Sequence, residues 1–214
     1  GEYDEGMNVF SELILIKPEQ LSINNIVATI QFNLGIICAR LSDYGMALTL
    51  LSHALESAQK MGGLFPSHNE GGVSVIAILH NIGRIHYKMG NYEDALITYR
   101  SVLHIRKSLC APDSLRNKLE IAATLNCLGV IHFHLLDGNT NNAMGLFVES
   151  LTIRCEIIGT DRDNTDIATN LNNIGRVHFK MGDHENAIIV YYQALSMRRR
   201  LFGNDHPDVA ATIY

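Results

Sequence analysis

The sequence predicts an all-α solenoid of antiparallel helix pairs, and three observations carry that reading. One stretch is written several times over. Gly175 in LNNIGRVHFK has counterparts at Gly129 in LNCLGVIHFHL, Gly83 in LHNIGRIHYKMG and Gly35 in QFNLGIICARL, at spacings of 46, 46 and 48 residues. Self-similarity at such a period marks stacked supersecondary units. Each anchor glycine is then followed by an alanine, twelve residues on at Ala47, Ala95 and Ala187 and fourteen on at Ala143. Large apolar residues stand four beyond it (Leu51, Tyr99, Phe147, Tyr191) and leucines eight beyond (Leu55, Leu103, Leu151, Leu195). Four-residue spacing stacks side chains on one helical face, so each unit holds two helices. Finally, glycine inside a helix costs about 1 kcal/mol relative to alanine, so its recurrence predicts that a Cβ there would obstruct close packing of the pair.

The elements follow in order. Residues 1–17 read as the second helix of an incomplete unit, because Glu2-Tyr3-Asp4-Glu5-Gly6 aligns with Asn91-Tyr92-Glu93-Asp94-Ala95, and Pro18 stops it. The first complete unit covers 26–61, with Asp43-Tyr44 opening its second helix, and a glycine-rich loop follows over 62–72. The next unit, 73–109, fits the pattern best and ends ahead of Pro112. The unit at 118–158 carries a two-residue insertion in its inter-helix turn, Leu136 to Asn142, where glycine and asparagine suit turn geometry. The reference unit is 166–202, and 206–214 begins the first helix of a further one, with Pro207 in its first turn. Tyr214 falls three residues short of the next anchor position. Both ends are therefore expected to be open, as in a section of a longer array whose apolar ends something else covers.

The pattern resembles the tetratricopeptide repeat (TPR), with leucine, glycine and an aromatic in the first helix and alanine, an aromatic and alanine in the second. The resemblance covers nearly the whole chain. The endings Leu103 to Arg106, Leu151 to Arg154 and Leu195 to Arg198, with the run Gly203-Asn204-Asp205-His206-Pro207-Asp208-Val209-Ala210, are similar to kinesin-light-chain-type repeats. The resemblance implies a right-handed superhelix working as a protein-binding array. The longer spacing and the lack of a heptad-bearing coiled coil set the chain apart from a motor subunit, so the likeness concerns the repeat subtype.

Composition bounds the function. The 214 residues are 47% hydrophobic with a formal net charge of −5, which argues against a general nucleic-acid binder. No aliphatic run approaches the roughly 20 residues that cross a bilayer. Cys38, Cys110, Cys127 and Cys155 lie apart without a C-x-x-C pair, as small buried thiols in a reducing compartment do. The expected location is intracellular, in the cytoplasm, with an organelle left open because the chain begins at glycine instead of methionine.

The resemblance also implies which residues of the first helices face the concave groove. They stand three before, one after, four after and five after the anchor, and the candidates are His80, Asn126 and Asn172; Arg84 and Arg176; Tyr87, Phe133 and Phe179; and Arg40, Lys88, His134 and Lys180. Arg84 with Lys88, and Arg176 with Lys180, each put like charges one turn apart without an intervening carboxylate. Such a groove suits an extended acidic segment, held by guanidinium–carboxylate bonds and by asparagines on its backbone. The plainer reading is a solvated charged face.

His86, His132 and His178 recur three residues after the anchor. Equivalent positions on neighbouring helices are about 10 Å apart, whereas zinc ligands converge at about 2 Å, so packing is expected and no metal. With no nucleophile elbow and no phosphate loop, the chain is expected to be non-enzymatic, without cofactor or small-molecule substrate. Arg106, Arg154 and Arg198 are expected to satisfy helix ends or bridge to the next unit, a series that Ala58 breaks. The resulting expectation is a protein-interaction scaffold or adaptor. The alternative is a structural subunit of a large assembly, held by its ends and convex surface.

Overall fold

A computed structural model describes residues 21–60, 74–109, 114–135, 140–160 and 162–213. The expected helix over 1–17, the loop over 62–72, Cys110, Tyr214 and residues 136–139 of the turn insertion lie outside the described residues. Among the described residues all regular structure is helical: α1 (Leu21–Arg40), α2 (Tyr44–Lys60), α3 (Val75–Lys88), α4 (Tyr92–Leu109), α5 (Leu115–His134), α6 (Thr140–Ile158), α7 (Thr165–Lys180), α8 (His184–Phe202) and α9 (Pro207–Ile213). The chain divides into two compact units, Gly1–Val102 and Leu103–Tyr214, with the boundary inside α4.

Local chemistry sets the helix ends. Ser74, Ser114 and Asn164 accept hydrogen bonds from the first backbone N–H groups of α3, α5 and α7, while Asp43 and Asp183 do the same for α2 and α8. The first-to-second-helix turns need one residue in the left-handed region. Gly90 (φ 80°) and Gly182 (φ 81°) supply it, and Ser42 (φ 65°) occupies the equivalent place without glycine's freedom.

In the first unit α1 packs on α2, and α3 packs on both. Its core gathers Leu34, Cys38, Ala47, Leu51, Ala54, Val75, Ile78 and Ile85. In the second unit α5 pairs with α6 and α7 with α8, α6 packs on α7, and α9 lies on α8. Ala143, Phe147, Ile174 and Val177 form one cluster there, and Ile167, Ala168 and Met197 another.

Every helix pair is closed by one recurring contact. A Cβ on Gly35 would meet Leu51 at 2.9 Å, on Gly83 Tyr99 at 2.9 Å, on Gly129 Phe147 at 2.6 Å, and on Gly175 Tyr191 at 2.8 Å. The anchor glycine is thus the floor on which the large residue of the second helix sits, as its recurrence predicts. The Ala47, Ala95, Ala143 and Ala187 side chains are buried beside it, which lets the backbones approach.

The stack is closed by the arginine series, and it bridges forward. At the end of α4, Arg106 pairs with Glu120 of α5 at 2.9 Å, while its own carbonyl accepts from Asn117 at 3.1 Å. Arg154 of α6, only 4% exposed, donates to the Asp166 carbonyl at 3.2 Å and to Oδ1 of Asn170 on α7. Arg198 of α8 donates to the Asp208 carbonyl at 3.0 Å and to the Thr212 hydroxyl at 2.6 Å on α9. Burial holds the Arg154 guanidinium's proton affinity below the ordinary arginine value, and the nearby Asp166 carboxylate offsets part of that shift. The Ser150 hydroxyl, fully buried, adds a bond of 2.6 Å to the Ala122 carbonyl.

Two tests follow from this packing. Gly129→Ala is expected to destabilise by roughly 1–3 kcal/mol through overpacking against the buried Phe147 ring, against the helix-propensity gain. Gly145→Ala, exposed on α6 with nothing within 4 Å of its Cβ site, is expected to stabilise by up to about 1 kcal/mol. Urea midpoints at unchanged slope read both. For the bridge, Arg154→Met should lose roughly 1–3 kcal/mol by orphaning the buried Asn170 oxygen. A double-mutant cycle with Asn170→Ala should show a coupling of similar sign, not additivity.

Candidate functional site

The candidate site is the outward face of the first helices, taken unit by unit. On α1, Arg40 is exposed. On α3, Arg84 and Lys88 are exposed, and Arg84 donates to Oδ1 of Asn81 at 2.9 Å. Tyr87 is half-buried against Tyr92, with ring centroids 5.8 Å apart. His80 meets the buried Tyr99 edge-on at 5.2 Å, so it helps wall in the ring that sits on Gly83.

The second unit brings more of the candidates together. Phe133, at the end of α5, packs half-buried against the Ala143–Phe147 cluster. Two cations of α7 lie over its ring: the Arg176 guanidinium carbon is 4.6 Å and the Lys180 ammonium 4.7 Å from the centroid. Lys180 also donates to the Phe133 carbonyl at 2.9 Å. The ring quadrupole attracts both charges, so the aromatic acts as a platform that fixes their positions. His134 stands edge-on to the same ring at 5.5 Å. Burial lowers its pKa below the ordinary histidine value, and the charges of Arg176 and Lys180 lower it further.

The asparagines fall differently from the sequence reading. Asn126 is half-buried and its side-chain oxygen accepts from Asn173 at 3.0 Å, a cross-link between α5 and α7. Asn172 is half-buried beside it, and Phe179 is 61% exposed near His184, with centroids 5.3 Å apart. Asn173 and the fully buried Asn170, which donates to the Phe147 carbonyl at 3.0 Å, are the positions that sequence reasoning missed. The run TNLNN offered three asparagines, and only the helical register separates them.

Charge pairing differs among the cations. Lys60, Arg106, Lys107, Arg154 and Arg200, all on second helices, each have a carboxylate partner, from 2.7 Å for Lys60–Glu56 to 3.6 Å for Arg154–Asp166. Among the described residues, Arg40, Arg84, Lys88, Arg176 and Lys180 on the first helices have none. Of the recurring histidines, His178 links its helix pair, 3.0 Å from the Asp183 carboxylate that caps α8, whereas His86 stands 3.9 Å from Asp94, beyond hydrogen-bond distance. Among the described residues Cys38, Cys127 and Cys155 form no disulfide, and burial raises the pKa of Cys38 and Cys155 above the ordinary thiol value. Among the described residues no three side chains are grouped as metal ligands, and no helix is long and apolar enough to cross a membrane.

Stacked helix pairs with a glycine floor and a forward-bridging arginine define a helical-repeat protein. Family models of the tetratricopeptide repeat match residues 75–115 and 166–214. The chain carries tetratricopeptide repeats in these two stretches. Its structure is similar to that of BtubC (BKLC) from P. vanneervenii, at 20% identity and a TM-score of 0.72, over 97% of this chain and 77% of that one. The nearly identical TPR-like repeats of a kinesin-light-chain-like protein from Podosopora anserina superpose with a TM-score of 0.64 at 15% identity, over 92% of this chain and 84% of that one. A Rap protein complexed with Competence and Sporulation Factor matches at 16% identity and a TM-score of 0.60, over 80% of this chain and 42% of its own. No curated protein matched the sequence.

The His134 environment yields a titration test. The Arg176→Gln/Lys180→Gln double variant is expected to raise the His134 pKa while leaving it below an exposed histidine's, since burial remains. NMR titration of the ring checks this. In the native protein the depressed pKa means that the unfolded chain binds the proton more readily. This residue's contribution to stability is therefore complete above the unfolded-state pKa of about 6.5 and is lost as pH falls through the folded value.

Proposed function

We propose that the chain is a non-enzymatic adaptor that holds an acidic segment of a partner protein on the exposed face of its first helices. The observation that carries the reading is the set of cations without carboxylate partners. Acidic residues outnumber basic ones, 22 to 17, yet among the described residues no carboxylate pairs with Arg40, Arg84, Lys88, Arg176 or Lys180, which are left for an anion from outside. Phe133 and Phe179 offer apolar surface beside the charges, and Asn172 offers an amide to a partner backbone. The Rap protein is described in complex with a factor, and a comparable use of this fold supports a peptide or protein ligand here. The location we infer is cytoplasmic.

A specific feature favours the second reading, a subunit held through its second helices. Ile188, Ile189 and Tyr192 on α8 are 64%, 55% and 69% exposed. They flank a groove of about 740 Å³ floored by Ile167 and Leu171 of α7 and walled by Leu151 and Cys155 of α6. An apolar patch of this kind suits a protein contact.

Affinity capture from native lysate separates the two. The Arg84→Ala/Lys88→Ala/Arg176→Ala/Lys180→Ala variant is expected to lose the partners of the wild-type chain, and raising salt should weaken capture of those partners. The Ile188→Ser/Tyr192→Ser variant should keep them. The opposite pattern, with the quadruple variant intact and the α8 variant bare, would transfer the function to the second helices.

A further inference from the structure

The paired cations over Phe133 define a charge more specific than "acidic". Arg176 and Lys180 both lie within 4.7 Å of one ring centroid, and they bring two positive charges to one ring without a carboxylate among the described residues to neutralise them. Their positions are set before any ligand arrives: the ring holds both charges, and the Phe133 carbonyl accepts a hydrogen bond from the Lys180 ammonium. Arg176 is half-buried, so part of its hydration is already lost. A single carboxylate brings one negative charge and two oxygens. A phosphomonoester brings about −1.5 to −2 charges at pH 7 and three strong acceptor oxygens, enough to engage the guanidinium fork and the ammonium together.

Resting on the adaptor reading, we propose that this site recognises a phosphorylated side chain, a phosphoserine or phosphothreonine within the partner segment. A peptide fits the surroundings better than a free anion. Asn172, Arg176 and Lys180 recur at four-residue spacing along one face of α7, so an extended chain crossing the phosphate site passes an amide on one side and the exposed Phe179 ring near the other.

The test uses the full chain and three acidic decapeptide libraries that differ only at one fixed position, which is serine, glutamate or phosphoserine, read by fluorescence anisotropy. The phosphoserine library is expected to bind roughly tenfold more tightly than the glutamate one. That preference should vanish in Arg176→Gln/Lys180→Gln and shrink in Lys180→Gln, an exposed position whose variant keeps the fold. An Arg199→Gln control should retain it. Equal binding of the glutamate and phosphoserine libraries overturns the phosphate inference and leaves the acidic-adaptor reading standing. No binding by any library overturns both. A phosphoserine preference that survives the double variant places the phosphate elsewhere. Inorganic phosphate that competes at the concentration of the phosphopeptide itself would reduce the site to a simple ion site, against the proposal.

Discussion

The contact between an anchor glycine and the large residue opposite it is the constraint on which the structure depends. Phe147 would come within 2.6 Å of a Cβ at Gly129, and Tyr99 and Tyr191 are nearly as close to theirs. That approach fixes how far apart the two helices of a pair run and which way the first helix is turned about its own axis. Once the glycine faces inward, the residues one and five positions later turn away from it, while the aromatic four positions later meets the start of the paired helix, as Tyr87 does Tyr92 and Phe179 does His184. Within each unit, the placement of Arg84 and Lys88 on α3, and of Arg176 and Lys180 on α7, follows from a missing methyl group.

The cations then split into two kinds of work. Arg106, Arg154 and Arg198 are drawn into the stack, where carbonyls, an asparagine, a hydroxyl and a carboxylate of the next helix accept their hydrogen bonds; this makes one pair's end the next pair's beginning. Burying such a group is costly where polar atoms go unpartnered: Asn170 serves Arg154 and the Phe147 carbonyl at once, while the buried Nε atoms of Arg106, Arg154 and Arg198 have no partner among the described residues. Arg176 and Lys180 remain outside, oriented by an aromatic ring instead of an opposite charge. A ring orients without neutralising, so the electrostatic attraction stays available to a ligand.

Much of the fold was legible because periodicity reports on what each pair needs internally. The anchor glycine, the alanine and the ring four residues later are one packing unit, and the arginine series announced a bridge between units. The site was legible only in part. Recurrence picked out Phe133, Arg176 and Lys180 separately, but a repeat carries no record of sideways distance, so their meeting over one ring required the structure. His80 illustrates the opposite case: a row position that packing against Tyr99 turns to structural use. Asn172 and Asn173 differ by a single residue, 100° around the helix, and sequence pattern alone does not resolve which one links to Asn126. Ile188, Ile189 and Tyr192 read as ordinary apolar helix content, and only their exposure reveals a second surface.

The account's central claim is that partner binding belongs to the first helices and stacking to the second. Hydrogen–deuterium exchange of the chain, with and without a captured partner, tests it most directly. Protection concentrated in α7 and the end of α5, around Phe133, Arg176 and Lys180, is the predicted result. Protection confined to α8, with α5 and α7 exchanging as in the free chain, would contradict it.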